Sequence, residues 1–323
     1  MKEIIMALDI GGTSIKIGMI YDTGEIFKKW EIPTDKSNTG VSIVDDIWTS
    51  ISDNLKELKI NSNDLLGIGV GAPGFIDSDN GFVYEAVNIG WKDFDLAKQL
   101  KDKSGLPVFV ENDANIAVLG ENWKGAGNQS RNVIALTIGT GVGGGIIANG
   151  SILNGVNGVA GEIGHITVDP NGDTCNCGSK GCLETIASAT GLVRQAMASL
   201  EQKPHSILAD YYKQEGTVSA KDIFELASNG DSDCKHIINK TGDILGMVIA
   251  NMGVTLNPSK VLIGGGVSKA GDQLLNEIKK AFHQYALPRV SKVCEIKTAE
   301  LGNDAGIIGG AFLVRQKLRG IKF

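Results

Sequence analysis

The chain has 323 residues, of which 42% are hydrophobic and 21% charged, with a formal net charge of −6 and a pI near 5.3. That length supports two domains with substantial cores, and the acidic balance without any basic run argues against nucleic-acid or anionic-membrane partners. Met1 leads almost directly into an apolar run with no basic or hydrophobic leader, so the cytoplasm is the expected compartment.

Ile4-Ile5-Met6-Ala7-Leu8 reads as a buried strand that runs into Asp9-Ile10-Gly11-Gly12-Thr13-Ser14-Ile15-Lys16, a glycine turn. Adjacent glycines let backbone N–H groups approach an anion, Thr13 adds a hydroxyl, Lys16 a positive charge, and Asp9 could hold a hydrated Mg²⁺. A plain hairpin turn suits the same residues. Val44, Ile47, Ile51, Leu55 and Leu58 recur at helical spacing and predict an amphipathic helix over 42–58. A buried parallel strand follows at 65–70, ending in Gly71-Ala72-Pro73-Gly74, then a helix over 96–103 stopped by Gly105.

A short strand at 108–110 opens onto Glu111-Asn112-Asp113, ahead of a helix over 116–123. Asp113 reads either as the helix cap or as a general base for a hydroxyl-bearing substrate, with Asn112 orienting a neighbouring group.

No residue from 132 to 161 is charged, but nine glycines and four asparagines there exclude a lipid-facing helix. Within that stretch, Ala135-Leu136-Thr137-Ile138-Gly139-Thr140-Gly141 repeats the apolar lead-in and glycine turn of the first strand, so the chain reads as internally duplicated. Two such turns predict a cleft in which both face one polyphosphate. A third follows the strand at 260–263, at Gly264-Gly265-Gly266. Gly139, Gly141 and Gly144 overlap a dinucleotide fingerprint, which would make the protein an oxidoreductase, yet a strand at 146–148 is expected where that motif needs a helix.

His165, Cys175, Cys177 and Cys182 form H-x9-C-x-C-x4-C, one nitrogen and three sulfurs suited to a tetrahedral structural Zn²⁺, with a redox or buried-thiol role as the other reading. The segment 201–217 is polar and reads as a surface excursion. A central helix is expected over 234–256, with Gly246 and Gly253 implying close neighbours. A last strand at 295–298 precedes a helix over 305–318, in which Gly306, Gly309 and Gly310 allow tight docking.

Taken as an ordered set, Leu8-Asp9-Ile10-Gly11-Gly12-Thr13, Gly71-Ala72-Pro73-Gly74, Glu111-Asn112-Asp113, Gly139-Thr140-Gly141, Gly161-Glu162-Ile163-Gly164-His165 and the 175–184 cysteine segment resemble the ROK sugar kinases, over essentially the whole chain. That family belongs to the actin-like ATPase and hexokinase superfamily. The resemblance implies an α/β, duplicated ribonuclease-H-like two-domain fold with an interdomain cleft. Residues 1–117 plus 303–323 would form the smaller domain, with the first phosphate turn and the catalytic Asp. Residues 118–302 would form the larger, with the second turn, the zinc site and the adenosine turn.

By matching position, Asp113 would be the general base toward the sugar hydroxyl. Gly74, Asn112, Glu162, His165 and Glu184 would hold the sugar, and Asp9, Gly11, Gly12, Thr13, Lys16, Thr140 and Gly141 the nucleotide phosphates. Gly265 and Gly266 would lie near the adenosine. His165 would serve the zinc, beside Cys175, Cys177 and Cys182, as well as the sugar. The implied reaction is ATP- and Mg²⁺-dependent phosphorylation of a hexose, with glucose ahead of N-acetylmannosamine, fructose or allose, in a homodimer. The family also includes sugar-sensing repressors, whose amino-terminal helix-turn-helix region has no counterpart ahead of this first strand.

Overall fold

A computed structural model describes residues 3–203 and 205–323. Apolar alternation and burial build the first sheet around β1 (Ile4–Ile10), which pairs antiparallel with β2 (Ser14–Tyr21). Next comes β3 (Ile26–Pro33), whose side chains alternate between half-buried and exposed as an edge strand requires. On the other side of β1 lies β4 (Leu65–Ala72), parallel to it and buried along nearly its whole length. A separate three-stranded sheet, β5 (Phe75–Asp77), β6 (Phe82–Ala86) and β7 (Trp91–Phe94), follows, and β8 (Val108–Asn112) then returns to pair parallel with β4.

The second large sheet repeats the first. Its strands are β9 (Val133–Ile138), β10 (Val142–Ala148), β11 (Ser151–Ile152), β12 (Lys260–Gly264) and β13 (Glu295–Thr298), in the order β11-β10-β9-β12-β13. The order β3-β2-β1-β4-β8 has the same logic: a central strand, its antiparallel hairpin partner, and two parallel strands beyond. The duplication expected from the two glycine turns is thus present in the topology.

Eleven helices cover the described residues. The first three are α1 (Ile43–Leu58), α2 (Leu96–Ser104) and α3 (Asp113–Lys124). After β11 come α4 (Leu183–Ala187), α5 (Ala189–Gln202), α6 (Ile207–Glu215), α7 (Ala220–Ser228) and α8 (Ser232–Leu256). The last are α9 (Asp272–Tyr285), α10 (Pro288–Ser291) and α11 (Ala305–Arg319). On α1, Val44, Ile47, Ile51 and Leu55 are buried on one face as their spacing predicts, and Lys59 ends the helix in the left-handed region. In α8, Gly246 lies against Ala281, the close neighbour that its position implied. None of these helices is long and apolar enough to cross a membrane.

Two compact units emerge. One comprises Met1–Arg131, Asn149–Gly161 and Glu300–Phe323, and the other Asn132–Ala148 and Glu162–Ala299. The expected boundaries at 117/118 and 302/303 therefore move, because α3 stays with the first unit. Its partner there is α11: a Cβ at Gly309 would stand 1.7 Å from the Ile116 carbonyl oxygen, and one at Gly120 2.1 Å from that of Ala305. Glycine lets these two helices approach until backbone meets backbone.

Two further expectations change. The segment 201–217, of which residue 204 lies outside the described residues, contains α6 instead of a plain excursion. Its Leu208 is fully buried, Ser206 caps it, and the Leu208 N–H donates to Asp231 at 2.9 Å. A single buried turn anchored on a distant carboxylate leaves too few apolar positions for a periodicity to register. The β5–β7 sheet was likewise not anticipated, since its strands are only three to five residues long.

Candidate functional site

In the first unit, the Gly11–Ser14 turn is closed by the Gly11 N–H donating to the Ser14 carbonyl at 3.0 Å. Thr34 braces it from the end of β3, its hydroxyl donating to the Gly11 carbonyl at 2.7 Å and its N–H to that of Thr13 at 3.0 Å. The β1–β2 register sets Asp9 opposite Lys16, with Oδ2 3.6 Å from Nζ. Burial raises the Asp9 carboxyl above its ordinary range, and Lys16 partly offsets this. Thr13 is exposed at the tip, with Gly11 and Gly12 half-buried behind it.

At the carboxyl end of β8, the capping residue is Asn112 and not Asp113. Asn112 Oδ1 accepts from the N–H groups of Ala114 and Asn115 at 2.9 and 3.3 Å, while its Nδ2 donates to the Gly74 carbonyl at 3.1 Å. Asp113 is the first residue of α3, half-buried, with Oδ1 accepting from the Ala114 N–H at 2.9 Å. The cap reading of Asp113 is thereby corrected: the side chain that accepts from both the Ala114 and Asn115 N–H groups belongs to the residue before it.

Glu111, to which sequence reasoning gave no role, is buried beneath these residues. Its carboxylate accepts from the Asn112 N–H at 2.9 Å and from the side-chain amides of Asn115 and Asn154, each at 3.1 Å. A buried carboxylate must be satisfied in this way, and its position one residue before the cap was the available signal.

In the second unit, the Gly139–Gly141 turn is closed by the Gly139 N–H donating to the Gly141 carbonyl at 2.9 Å. The start of α5 braces it: the Ala189 N–H donates to the Gly139 carbonyl at 2.8 Å and the Thr190 hydroxyl to that of Thr140 at 2.9 Å. Beside this turn opens a cavity of about 860 Å³, lined among others by Thr140, Ala220, Phe224, Gly266, Lys269 and Gln273. Gly266 lines it, whereas Gly265 is not part of the lining and sets its backbone against Ile138. The contribution of α7 was not foreseen, because Ala220 and Phe224 read as ordinary helix-face positions.

His165, Cys175, Cys177 and Cys182 converge, with their ligand atoms all within 4.8 Å of one another. His165 Nδ1 lies 3.7 Å from Cys175 Sγ, and the sulfurs of Cys177 and Cys182 are also 3.7 Å apart. Tetrahedral zinc with its usual bond lengths places ligand atoms about 3.6–3.8 Å apart, so these two separations and the donor set fit that ion. The Ser179 N–H beside Cys177 brings its thiol down to about 6, while burial pushes Cys182 up to about 12 and raises Cys175. A divalent cation would let all three act as thiolates together. His165 Nε2 points the other way, 3.9 Å from Glu162 Oε2. Glu184 stands beside the cluster, its Oε1 3.6 Å from Cys175 Sγ and its Oε2 accepting the Val142 N–H at 3.1 Å.

The sequence profile of the ROK family matches residues 5–317. The chain belongs to the ROK family. It is 52% identical to a glucokinase of Halalkalibacterium halodurans over 313 residues, covering 97% of this chain and 95% of that protein. Among solved structures, it resembles a ROK family glucokinase from Streptomyces griseus in complex with glucose and AMPPNP, with a TM-score of 0.77 and 34% identity over 97% of this chain and 99% of that one. It also matches a ROK family transcriptional regulator, a homolog of the E. coli MLC protein, at a TM-score of 0.84 and 27% identity, covering 97% of this chain and 78% of that one. The ROK fold thus carries both catalysts and regulators, and the chemistry of the site has to separate them.

Proposed function

We propose that this protein is an ATP-dependent glucokinase, transferring the γ-phosphoryl group of ATP to the 6-hydroxyl of glucose. What supports this most is the 52% identity to a glucokinase across 97% of the chain, together with an Asp113 carboxylate that does not serve as the helix cap. Asp113 takes the proton as the sugar oxygen forms its bond to phosphorus and the bond from phosphorus to the leaving ADP oxygen breaks. Asn112, with the Gly74 backbone tied to it, orients the sugar, and Glu162, His165 and Glu184 hold its other hydroxyls.

The two glycine turns receive the phosphates, Gly11, Gly12, Thr13 and Lys16 from one and Thr140 and Gly141 from the other. The adjoining 860 Å³ cavity, with Gly266 in its wall and Gly265 behind it, takes the adenosine. Asp9 would hold Mg²⁺, which when bound neutralises charge on the phosphates. His165, Cys175, Cys177 and Cys182 would hold a structural Zn²⁺ that fixes the loop carrying the sugar ligands. A cytoplasmic homodimer is the expected state.

Initial rates with ATP and Mg²⁺ across a panel of hexoses and N-acetylhexosamines test the assignment. Glucose 6-phosphate is the expected product. Preference for another sugar would move the substrate, and inactivity on all of them would leave a sugar-responsive regulator as the better reading.

A further inference from the structure

Glu184 lies in the first turn of α4, half-buried between two features of the second unit. Its Oε2 is held by the Val142 N–H at 3.1 Å, the donor that directly follows the Gly139–Gly141 turn. Its Oε1 faces Cys175, a member of the metal-ligand cluster, at 3.6 Å. Beside it, Gly141 leaves the space in which the carboxylate sits: a Cβ there would stand 2.2 Å from the same Oε2. The other glycine of the turn behaves differently, for a Cβ at Gly139 would meet nothing within 4 Å. A side chain at Gly141 would therefore displace the Glu184 carboxylate, whereas one at Gly139 would displace nothing.

We propose that Gly141 and the Val142 N–H form a seat for Glu184 through which occupation of the phosphate turn strengthens sugar binding, and sugar strengthens nucleotide binding. This rests on the sugar-kinase reading, in which Glu184 is a sugar ligand and Thr140 and Gly141 receive phosphate. A phosphate resting on Thr140 and Gly141 immobilises the peptide that carries the Val142 N–H, and with it the carboxylate which that N–H orients. The sugar then meets a carboxylate whose rotamer freedom has already been lost, so less ordering remains to oppose binding. Linkage makes the effect reciprocal: a sugar that fixes Glu184 fixes the turn for the nucleotide by the same factor. Gly141 and Val142 act as positioning residues for Glu184.

Calorimetric titration of glucose into the intact protein, with and without AMPPNP and Mg²⁺, gives the coupling factor directly. In the unaltered protein AMPPNP should tighten glucose about fivefold or more. Gly141→Ala should weaken glucose roughly ten- to a hundredfold by displacing a charge-assisted hydrogen bond, and should bring the coupling factor to about one. Gly139→Ala should leave glucose affinity within about twofold of the unaltered protein. Glu184→Asp retains the charge but withdraws it from the Val142 N–H without any steric clash, so it should also abolish coupling, and it decides the matter if Gly141→Ala does not fold. Glucose binding that is indifferent to AMPPNP, or coupling that persists in both variants, overturns the seat while leaving the kinase assignment standing. Absence of glucose binding in the unaltered protein overturns the kinase assignment and the seat together.

Discussion

The side-chain amide of Asn112 donates to the Gly74 carbonyl at 3.1 Å, tying the turn after β4 to the amino end of α3. The same side chain caps the helix with its oxygen, so one asparagine both closes α3 and fixes the backbone expected to approach the sugar. The proposed general base is the next residue, Asp113.

Asp113→Asn should therefore fold, bind glucose with little change in Kd, and lose on the order of 10² to 10⁴ in kcat, the usual cost of removing a general base. Asparagine can accept the Ala114 N–H as aspartate does, so local structure is preserved. Steady-state kinetics with calorimetry checks this, and near-normal kcat would remove Asp113 from the mechanism.

The proposed zinc site predicts about one equivalent of Zn²⁺ per chain by elemental analysis of freshly purified protein. Cys177→Ser should lose the ion, weaken glucose binding and lower Tm, because the remaining thiols of Cys175 and Cys182 and the imidazole of His165 would be left without the cation that joins them. Metal-free native protein with full activity would contradict the zinc assignment.

Asp9→Asn should show opposite effects on stability and activity. Burial raises the folded-state pKa of Asp9 above the ordinary 3.8, so the folded chain binds a proton more tightly than the unfolded chain there. Stability consequently falls as pH rises through 3.8 toward the raised value, and the deficit persists at neutral pH. Replacement by asparagine should raise Tm at pH 7, with the gain shrinking below pH 3.8, while the apparent affinity for Mg²⁺-ATP drops. Melting curves over pH, paired with ATP kinetics, test both arms.

Ala220→Trp would fill part of the 860 Å³ cavity beside the second glycine turn. If adenosine binds there, KM for ATP should rise about tenfold or more with glucose affinity unchanged, as expected when uniform nucleotide binding is lost. An unchanged KM for ATP would place the adenosine elsewhere.

By itself, the sequence determined what local chemistry can determine. Apolar runs ending in glycine turns marked β1, β9 and β12, and the repeat of the first in the second pointed to two similar halves, each a strand, a glycine turn and a returning strand. The spacing of His165, Cys175, Cys177 and Cys182 announced a cluster able to hold a metal ion, and the four ligand atoms do converge. Only the tertiary structure decided which residue caps α3, because Asn112 and Asp113 compete for the same N–H groups and strand geometry settles their angles. It also decided that α3 belongs with α11, through glycines whose contact partner lies far along the chain. The burial of Glu111 beneath the candidate base and the seat of Glu184 on the Val142 N–H were decided the same way. These contacts join segments distant in sequence, and periodicity, which reports only a residue's immediate neighbours, carries no trace of them.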